Sequence, residues 1–307
     1  MRAVSRGTVA TAALVALLVV DVVLVAFALR PSDAPDAGSV QVTLDEPTVE
    51  PSDPESPLAT PTESTPEPPP SAVPLGRLID ASSATEAWRL TKGACPDGGG
   101  SVQRTSDGGA TWDDVDTGAE AFVRLRARGP ADAFVVAVTG EGCEPAFLAT
   151  SDGETWGELP GSLDDAWYIE PADATAVHSP AGAMAGPCEG PVVDLAGVTS
   201  TRAGALCDDG RVFTTDDGAA SWAVRVAVPG AVALTDAGDG YLVGVLAAAG
   251  CPGVQVVAAG EGTAEALGCS SAAAEPGSVD VAAVGESVWV WAGDAVQVST
   301  DGGRTWP

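Results

Sequence analysis

The chain has few groups able to do chemistry, and most of them sit in one stretch. Trp167, Tyr168 and the only histidine, His178, lie together and form a candidate ligand face. No serine or cysteine motif of the nucleophile-elbow kind accompanies His178, so a nucleophilic triad has no basis. The acidic pairs Asp113-Asp114, Asp164-Asp165, Asp208-Asp209 and Asp216-Asp217 invite calcium. None has the spacing of an EF-hand loop, and turn chemistry accounts for most of them. Six cysteines without a C-x-x-C spacing, beside a single histidine, do not make a zinc centre. No metal site and no cofactor are therefore expected.

A repeated phrase organises everything around these residues. It reads Thr105-Ser-Asp107-Gly-Gly109-Ala-Thr111-Trp112, Thr150-Ser-Asp152-Gly-Glu-Thr155-Trp156, Thr215-Asp-Asp217-Gly218-Ala-Ala-Ser221-Trp222 and Ser299-Thr-Asp301-Gly-Gly303-Arg-Thr305-Trp306. An internal repeat means copies of one supersecondary unit. The wording is that of a tight turn: Asp bonds the backbone beyond it, Gly supplies positive φ, and Ser or Thr opens and closes the loop. The tryptophan that follows is an anchor able to bury about 150 to 250 Å² against a neighbouring sheet. The second copy is one residue shorter, and the third has its glycine one place early.

The pattern Ser/Thr-x-Asp-x-Gly-x-Thr-Trp resembles the Asp-box, or BNR repeat, of sialidase-like β-propellers. The resemblance implies structural roles for Asp107, Gly109, Trp112, Asp152, Trp156, Asp217, Trp222, Asp301, Gly303 and Trp306. It also raises a sialidase-like glycoside hydrolase as an alternative function. That chemistry uses three arginines on a carboxylate, a Tyr assisted by a Glu, an Asp as acid/base and an early Arg-Ile-Pro. The chain has no Arg-Ile-Pro. Tyr168 has Glu170 and Asp173 nearby, Tyr241 falls in an alternating strand, and Arg124, Arg126, Arg128 and Arg202 are the available clamp. Fold by itself carries no chemistry, and a binding or scaffold role is preferred.

Among 307 residues, 43 acids face 14 bases, a formal net charge of −29. Such a balance excludes nucleic acid as a partner, because phosphate binding needs clustered Lys and Arg. There is one lysine, Lys92, and no asparagine, a bias matching a GC-rich genome and pointing to an actinobacterium. Residues 8–29 form an apolar run with seven Val and five Leu. As a helix of about 1.5 Å per residue it would span about 33 Å, enough to cross a bilayer. Asp21 costs about 2.5 to 3.5 kcal/mol there and the aliphatic residues outweigh it. Arg2 and Arg6 place residues 1–7 in the cytoplasm by the positive-inside rule. A cleaved signal peptide is the rival, with Ala26-Phe27-Ala28 as its site, but the run is longer than an ordinary h-region. Residues 30–75, rich in Pro, Ser, Thr and acids, read as a disordered stalk.

From 76 to 307 the chain alternates apolar strands with Gly/Asp turns. Counting back from each turn predicts an all-β protein, a propeller of about five four-stranded blades, or six if the extra stretch from Asp164 to Cys188 makes one. In the fourth unit the turn decays to Ala259-Gly-Glu-Gly262 and the box is lost. The last box ends at Trp306, directly before Pro307, so closure of the ring would borrow a strand from Ser39–Leu44 or from Pro74–Ile79. Cys95, Cys143, Cys207 and Cys251 each follow a second strand, Cys188 lies just before the first strand of the third unit and Cys269 just after the outer strand of the fourth, so all six crowd the rim opposite the boxes. Proximity favours Cys251 with Cys269 and Cys188 with Cys207, leaving Cys95 with Cys143, among fifteen pairings. The expected protein is a single-pass, membrane-tethered, extracytoplasmic propeller that binds a cell-envelope glycan or protein on the cysteine-bearing face.

Overall fold

The computed structural model describes residues 71–307. The expected cytoplasmic segment, membrane span, nearly all of the stalk and the candidate strand Ser39–Leu44 lie outside the described residues. Among the described residues no helix is long and apolar enough to cross a membrane. The chain is an all-β, six-bladed β-propeller whose blades have three or four strands.

Blade 1 holds β1 (Arg77–Ala81), β2 (Ala87–Thr91), β3 (Ser101–Thr105) and β4 (Asp113–Val115), and blade 2 holds β5 (Phe122–Ala127), β6 (Ala133–Thr139), β7 (Glu144–Thr150) and β8 (Gly157–Glu158). Blade 3 is β9 (Tyr168–Ile169), β10 (Ala176–Ser179) and β11 (Gly182–Ala185). Blade 4 comprises β12 (Val192–Gly197), β13 (Ala203–Cys207), β14 (Arg211–Thr215) and β15 (Ala223–Ala227). Blade 5 comprises β16 (Ala231–Asp236), β17 (Tyr241–Val245), β18 (Val254–Ala259) and β19 (Ala264–Ser270), and blade 6 has β20 (Val279–Val284), β21 (Ser287–Ala292) and β22 (Ala295–Ser299). Every pairing within a blade is antiparallel. The strands bury Val, Ile, Leu and Ala on both faces because each blade is packed between two others; Val192, Val193, Val232 and Val243 have no exposed surface.

Two blades depart from four strands. The stretch Asp164–Cys188 builds blade 3, which settles the count at six. Its β9 lies nearest the inner strands β5 and β12, yet it runs against them. The turn after β9 meets the start of β12, where Val192 N donates to Ala174 O at 2.8 Å, while the turn after β10 meets the opposite rim, where Ser179 Oγ donates to Gly218 O at 2.8 Å. Blade 3 therefore holds the second, third and fourth strands of a regular blade and lacks the innermost one. Arg124 of β5 bridges that gap by donating to Leu195 O on β12. In blade 6, β22 is the outer edge among the described residues.

Pro74–Ile79 does not supply a strand to blade 6. Its last residues open β1, the inner strand of blade 1, and the ring closes by packing β1 beside β20. Gly76 N donates to Gly277 O at 2.9 Å, Trp289 Nε1 donates to Ser83 O at 3.0 Å, and the Arg77 guanidinium lies 4.6 Å over Trp291. Ala72 and Leu75 are already in the core, so the packed domain starts a few residues before 76.

Inner-strand carboxylates join blades. Asp80 accepts from its neighbour Ala81 N and from Ala127 N of blade 2. Asp194 does the same with Leu195 N and Leu234 N of blade 5, and Asp280 with Val281 N and Ile79 N of blade 1. The three carboxylates, with Arg124 and Arg126, surround an axial cavity of about 30 Å³, room for a water or two.

Candidate functional site

The repeated turns share one hydrogen-bond scheme. Thr105 Oγ1 donates to Asp107 Oδ1 at 2.8 Å and accepts from Gly109 N, while Thr111 gives its backbone N–H and hydroxyl to the two Asp107 oxygens at 2.9 and 2.6 Å. The copies at Asp217 and Asp301 repeat every one of these bonds. In the shorter copy, Gly153 N takes the place of Gly109 N on the Thr150 hydroxyl and Thr155 N reaches Asp152 at 2.7 Å. In the third copy Ala219 occupies the glycine's place at φ +72°. These bonds favour the ionised carboxylate: the Thr111 hydroxyl and N–H bring Asp107 down to about 2, and Asp152, Asp217 and Asp301 are lowered for the same reason.

Each turn lays its tryptophan on the preceding blade. Trp156 of blade 2 meets Trp88 of blade 1 edge-on, 5.7 Å between centroids. Trp222 of blade 4 joins Trp167 and Val177 of blade 3, Trp112 of blade 1 joins Trp289 and Trp291 of blade 6, and Gly303 brings the Trp306 turn against Val256 of blade 5. Blades 3 and 5 have no such turn. Both place a tyrosine at the start of the second strand instead. Tyr168 packs with Phe134 and Phe147 of blade 2 under a stacked His178, 4.5 Å away and 6° from parallel. Tyr241 packs on Gly204 of blade 4, whose missing Cβ would lie 2.5 Å from Tyr241 Cε1.

Registers align Trp88, Phe134 and Gly204 as the same position of the second strand in blades 1, 2 and 4. Aromatic rings occupy the first two junctions, leaving a hollow of about 170 Å³ beside Phe134. At blades 4 and 5, with neither a turn tryptophan nor an aromatic at 204, a polar cleft of about 330 Å³ opens. It is lined by Arg202, Thr214, Asp216 and Arg225 of blade 4 and by Asp236, Asp239, Tyr241 and Glu261 of blade 5.

The cleft is preorganised from its floor. Arg225 lies 5.3 Å over the Tyr241 ring and is fixed by Nε donating to Ala259 O at 2.7 Å. Tyr241 is 6 % exposed. Among the described residues its hydroxyl has no hydrogen-bond partner, though it is not sealed from the cleft. Burial, and then the Asp236 charge, push its pKa up to about 12, with Arg202 and Arg225 opposing. The phenol is held protonated, a donor awaiting an acceptor.

The expected ligand face is arranged differently. Trp167 and Tyr168 are buried, with Trp167 Nε1 donating to Thr199 O at 2.7 Å, so these residues and His178 pack blade 3. His178 Nδ1 sits 3.4 Å from Glu170 Oε1. Burial and the Glu170 charge raise Tyr168 to about 12 as well. The four arginines do not form one clamp: Arg124, which holds Leu195 O, and Arg126, 3.6 Å from Asp80, share the axial cavity and a hollow beside Trp167, whereas Arg128 pairs with Asp132 at 2.8 Å and Arg202 reaches Gly238 O in the cleft. Disulfides join Cys95 to Cys143, Cys188 to Cys207 and Cys251 to Cys269. They lie on the rim opposite the cleft. Arg225, Asp236, Asp239 and Glu261 had no motif to mark them; the decayed turn around Glu261 was the available signal.

No known family and no curated relative matches the chain. Among solved structures it is similar to YCF48 bound to a D1 peptide, at 17% identity over 78% of this chain and 83% of that one, with a TM-score of 0.30. It is similar to the fungal lectin of Aleuria aurantia, described as a six-bladed β-propeller with a fucose recognition mode, at 13% identity over 78% and 96% of the chains and a TM-score of 0.42. It also resembles the GH74 xyloglucanase from Xanthomonas campestris, at 13% identity over 76% of this chain and 37% of that one, with a TM-score of 0.32.

Proposed function

We propose that the chain is a membrane-tethered, extracytoplasmic propeller of the Asp-box kind that binds a cell-envelope glycan or protein. The apolar run 8–29 is its anchor, and the acidic segment from 30 to about 71, short of the packed Ala72 and Leu75, its stalk. Three disulfides suit an oxidising compartment. The observation that carries the binding role is the cleft between blades 4 and 5, where a buried tyrosine presents an unpartnered hydroxyl among carboxylates and guanidinium groups that form no ion pairs with one another. Concave sites with a few convergent polar groups are the usual form of small-ligand sites. On the cysteine-bearing side, a hollow of about 340 Å³ is aliphatic except for Gln255 and has little to orient a ligand. We therefore move the expected contact to the rim that carries the turns.

Binding fits better than hydrolysis. The hydrolysis at issue is the sialidase-like one, whose nucleophilic phenol must lose its proton, and burial pushes both tyrosines up to about 12. The test is retention of the full chain, in detergent micelles, on cell-envelope fractions, alongside a fluorogenic glycoside panel. Retention without turnover, lost in Asp239→Trp and weakened in Tyr241→Phe, is expected. Retention untouched by both variants would move the site elsewhere, and turnover abolished by Tyr241→Phe would make the chain an enzyme.

A further inference from the structure

We infer that this cleft selects a sugar bearing a free, protonated amine; the inference rests on the reading of the cleft as the ligand site. Four carboxylates, Asp216, Asp236, Asp239 and Glu261, face two guanidinium groups, Arg202 and Arg225. Among the described residues these six form no ion pair with one another. The arginines are turned to backbone carbonyls: Arg225 to Ala259 O, and Arg202 to Gly238 O at 3.5 Å. The two guanidinium charges offset half of the four carboxylates without pairing with any of them, so the recess keeps a net negative field, which its walls focus.

The same arrangement discriminates among cations. A metal ion needs several ligands within bonding distance, and among the described residues no three acidic, histidine or cysteine side chains converge closely enough. A lysine side chain gains from apolar surface along its methylenes. The cleft has none, since its walls are Gly238, Gly240, Thr214 and charged groups around the edge of Tyr241. An acidic sugar meets an excess of like charge. An amine-bearing sugar satisfies every part: its ammonium faces the carboxylates, while its hydroxyls accept from Tyr241 Oη and the guanidinium N–H groups and donate to the remaining carboxylate oxygens. At about 330 Å³ the cleft has room for a mono- or disaccharide end.

The test is calorimetric titration of the full chain in detergent micelles with a glucosamine tetramer, its fully N-acetylated counterpart, a galacturonic acid tetramer and a lysine tetrapeptide. The glucosamine tetramer binds, the acetylated form binds about tenfold or more weaker, and the uronate does not bind. Asp239→Asn with Glu261→Gln, both on exposed loops, weakens the glucosamine tetramer about tenfold, and Glu141→Gln with Glu144→Gln on the far rim has no effect. Affinity falls as pH rises through the amine's pKa. Equal binding of the acetylated and free-amine tetramers overturns amine selectivity while leaving a glycan site in place. Tighter binding of the lysine peptide overturns the sugar, and equal losses in the two double variants reduce the effect to general attraction of polycations by an acidic domain. Absence of binding by all four probes, with wild-type envelope retention still lost in Asp239→Trp, refutes the amine and keeps the site; absence of both refutes the site.

Discussion

Replacing Asp280 with alanine tests whether carboxylates hold the ring closed. Asp280 is 4 % exposed on β20, and its oxygens accept from Ile79 N of blade 1 at 2.6 Å and from Val281 N at 2.8 Å. Alanine leaves two buried N–H groups without acceptors, each costing about 1 to 3 kcal/mol, or roughly 2 to 6 kcal/mol together. Against this works the removal of a charge from the interior. Burial, and then the Asp194 charge on β12, push the Asp280 carboxyl well above its ordinary range, while its two N–H donors and Lys92 pull it down. Arg124 on β5 belongs to the same axial group through its interaction with Asp194. A carboxyl whose folded pKa is raised binds its proton more tightly in the folded state. Its contribution to stability is complete below the unfolded value of about 3.9 and declines as pH rises through the folded value.

The penalty of Asp280→Ala is accordingly largest near pH 4 and shrinks toward pH 8. Urea unfolding of wild type and variant across that range, followed by tryptophan fluorescence, measures it. A penalty below about 1 kcal/mol at pH 4 would mean the N–H groups find other partners. A penalty that grows with pH would show that the ionised carboxylate is the stabilising form, refuting the sign of the shift.

The turn aspartates act in the opposite sense. Asp107 is lowered to about 2 by its threonine and backbone partners, so its contribution is present above about pH 4 and is lost as pH falls through about 2; Asp107→Ala lowers Tm at neutral pH and converges with wild type on acidification. The disulfides differ by loop length: with separations of 48 and 18, Cys95→Ala/Cys143→Ala costs about 4 kcal/mol and Cys251→Ala/Cys269→Ala about 3 in chemical denaturation. Equal positions in two blades should fail for opposite reasons. Trp88→Ala empties a fully buried site and costs about 3 to 5 kcal/mol, whereas Gly204→Ala forces a methyl into Tyr241 and costs about 1 to 3, both read from urea midpoints.

What was legible in the sequence was local. The turns could be read because Thr105, Asp107, Gly109 and Thr111 satisfy one another within a few residues. The cysteine positions could be read because each tracks a strand end. Blade 3 resisted counting because it has neither the turn nor the innermost strand by which the others were counted. The axial carboxylates were silent for another reason: Asp280 finds its partner Ile79 201 residues away, and Arg124 finds Leu195 at a separation of 71. A single acid in an apolar strand carries no sign of such a partner. The cleft is the hardest case, since what creates it is a tryptophan that is not there.

Loss of the turn is nevertheless insufficient to make a cleft. Blades 3 and 5 both lack it, and both substitute a tyrosine at the start of the second strand. At the junction of blades 2 and 3, Phe134 stacks on Phe147 at 4.5 Å and His178 lies flat on Tyr168, so aromatic surface takes most of the space and leaves a hollow of about 170 Å³, half the size of the cleft, beside Phe134 and Trp167. At blades 4 and 5 the position of Phe134 is Gly204, and Tyr241 settles into the volume that a side chain there would occupy. Opening therefore required two departures from the repeat at one junction, together with a polar lining that packing alone does not call for. The rim of the cleft is solvent-facing, with Asp216, Asp239 and Glu261 exposed, so its charge carries no burial cost. The floor is different: Tyr241 is buried, its hydroxyl has no partner in the described protein, and a buried polar group without a partner costs free energy. Its partner is best sought in a ligand, and Tyr241→Phe, which removes that oxygen and nothing else, separates the two accounts: a structural tyrosine loses nothing in affinity, and a binding one does.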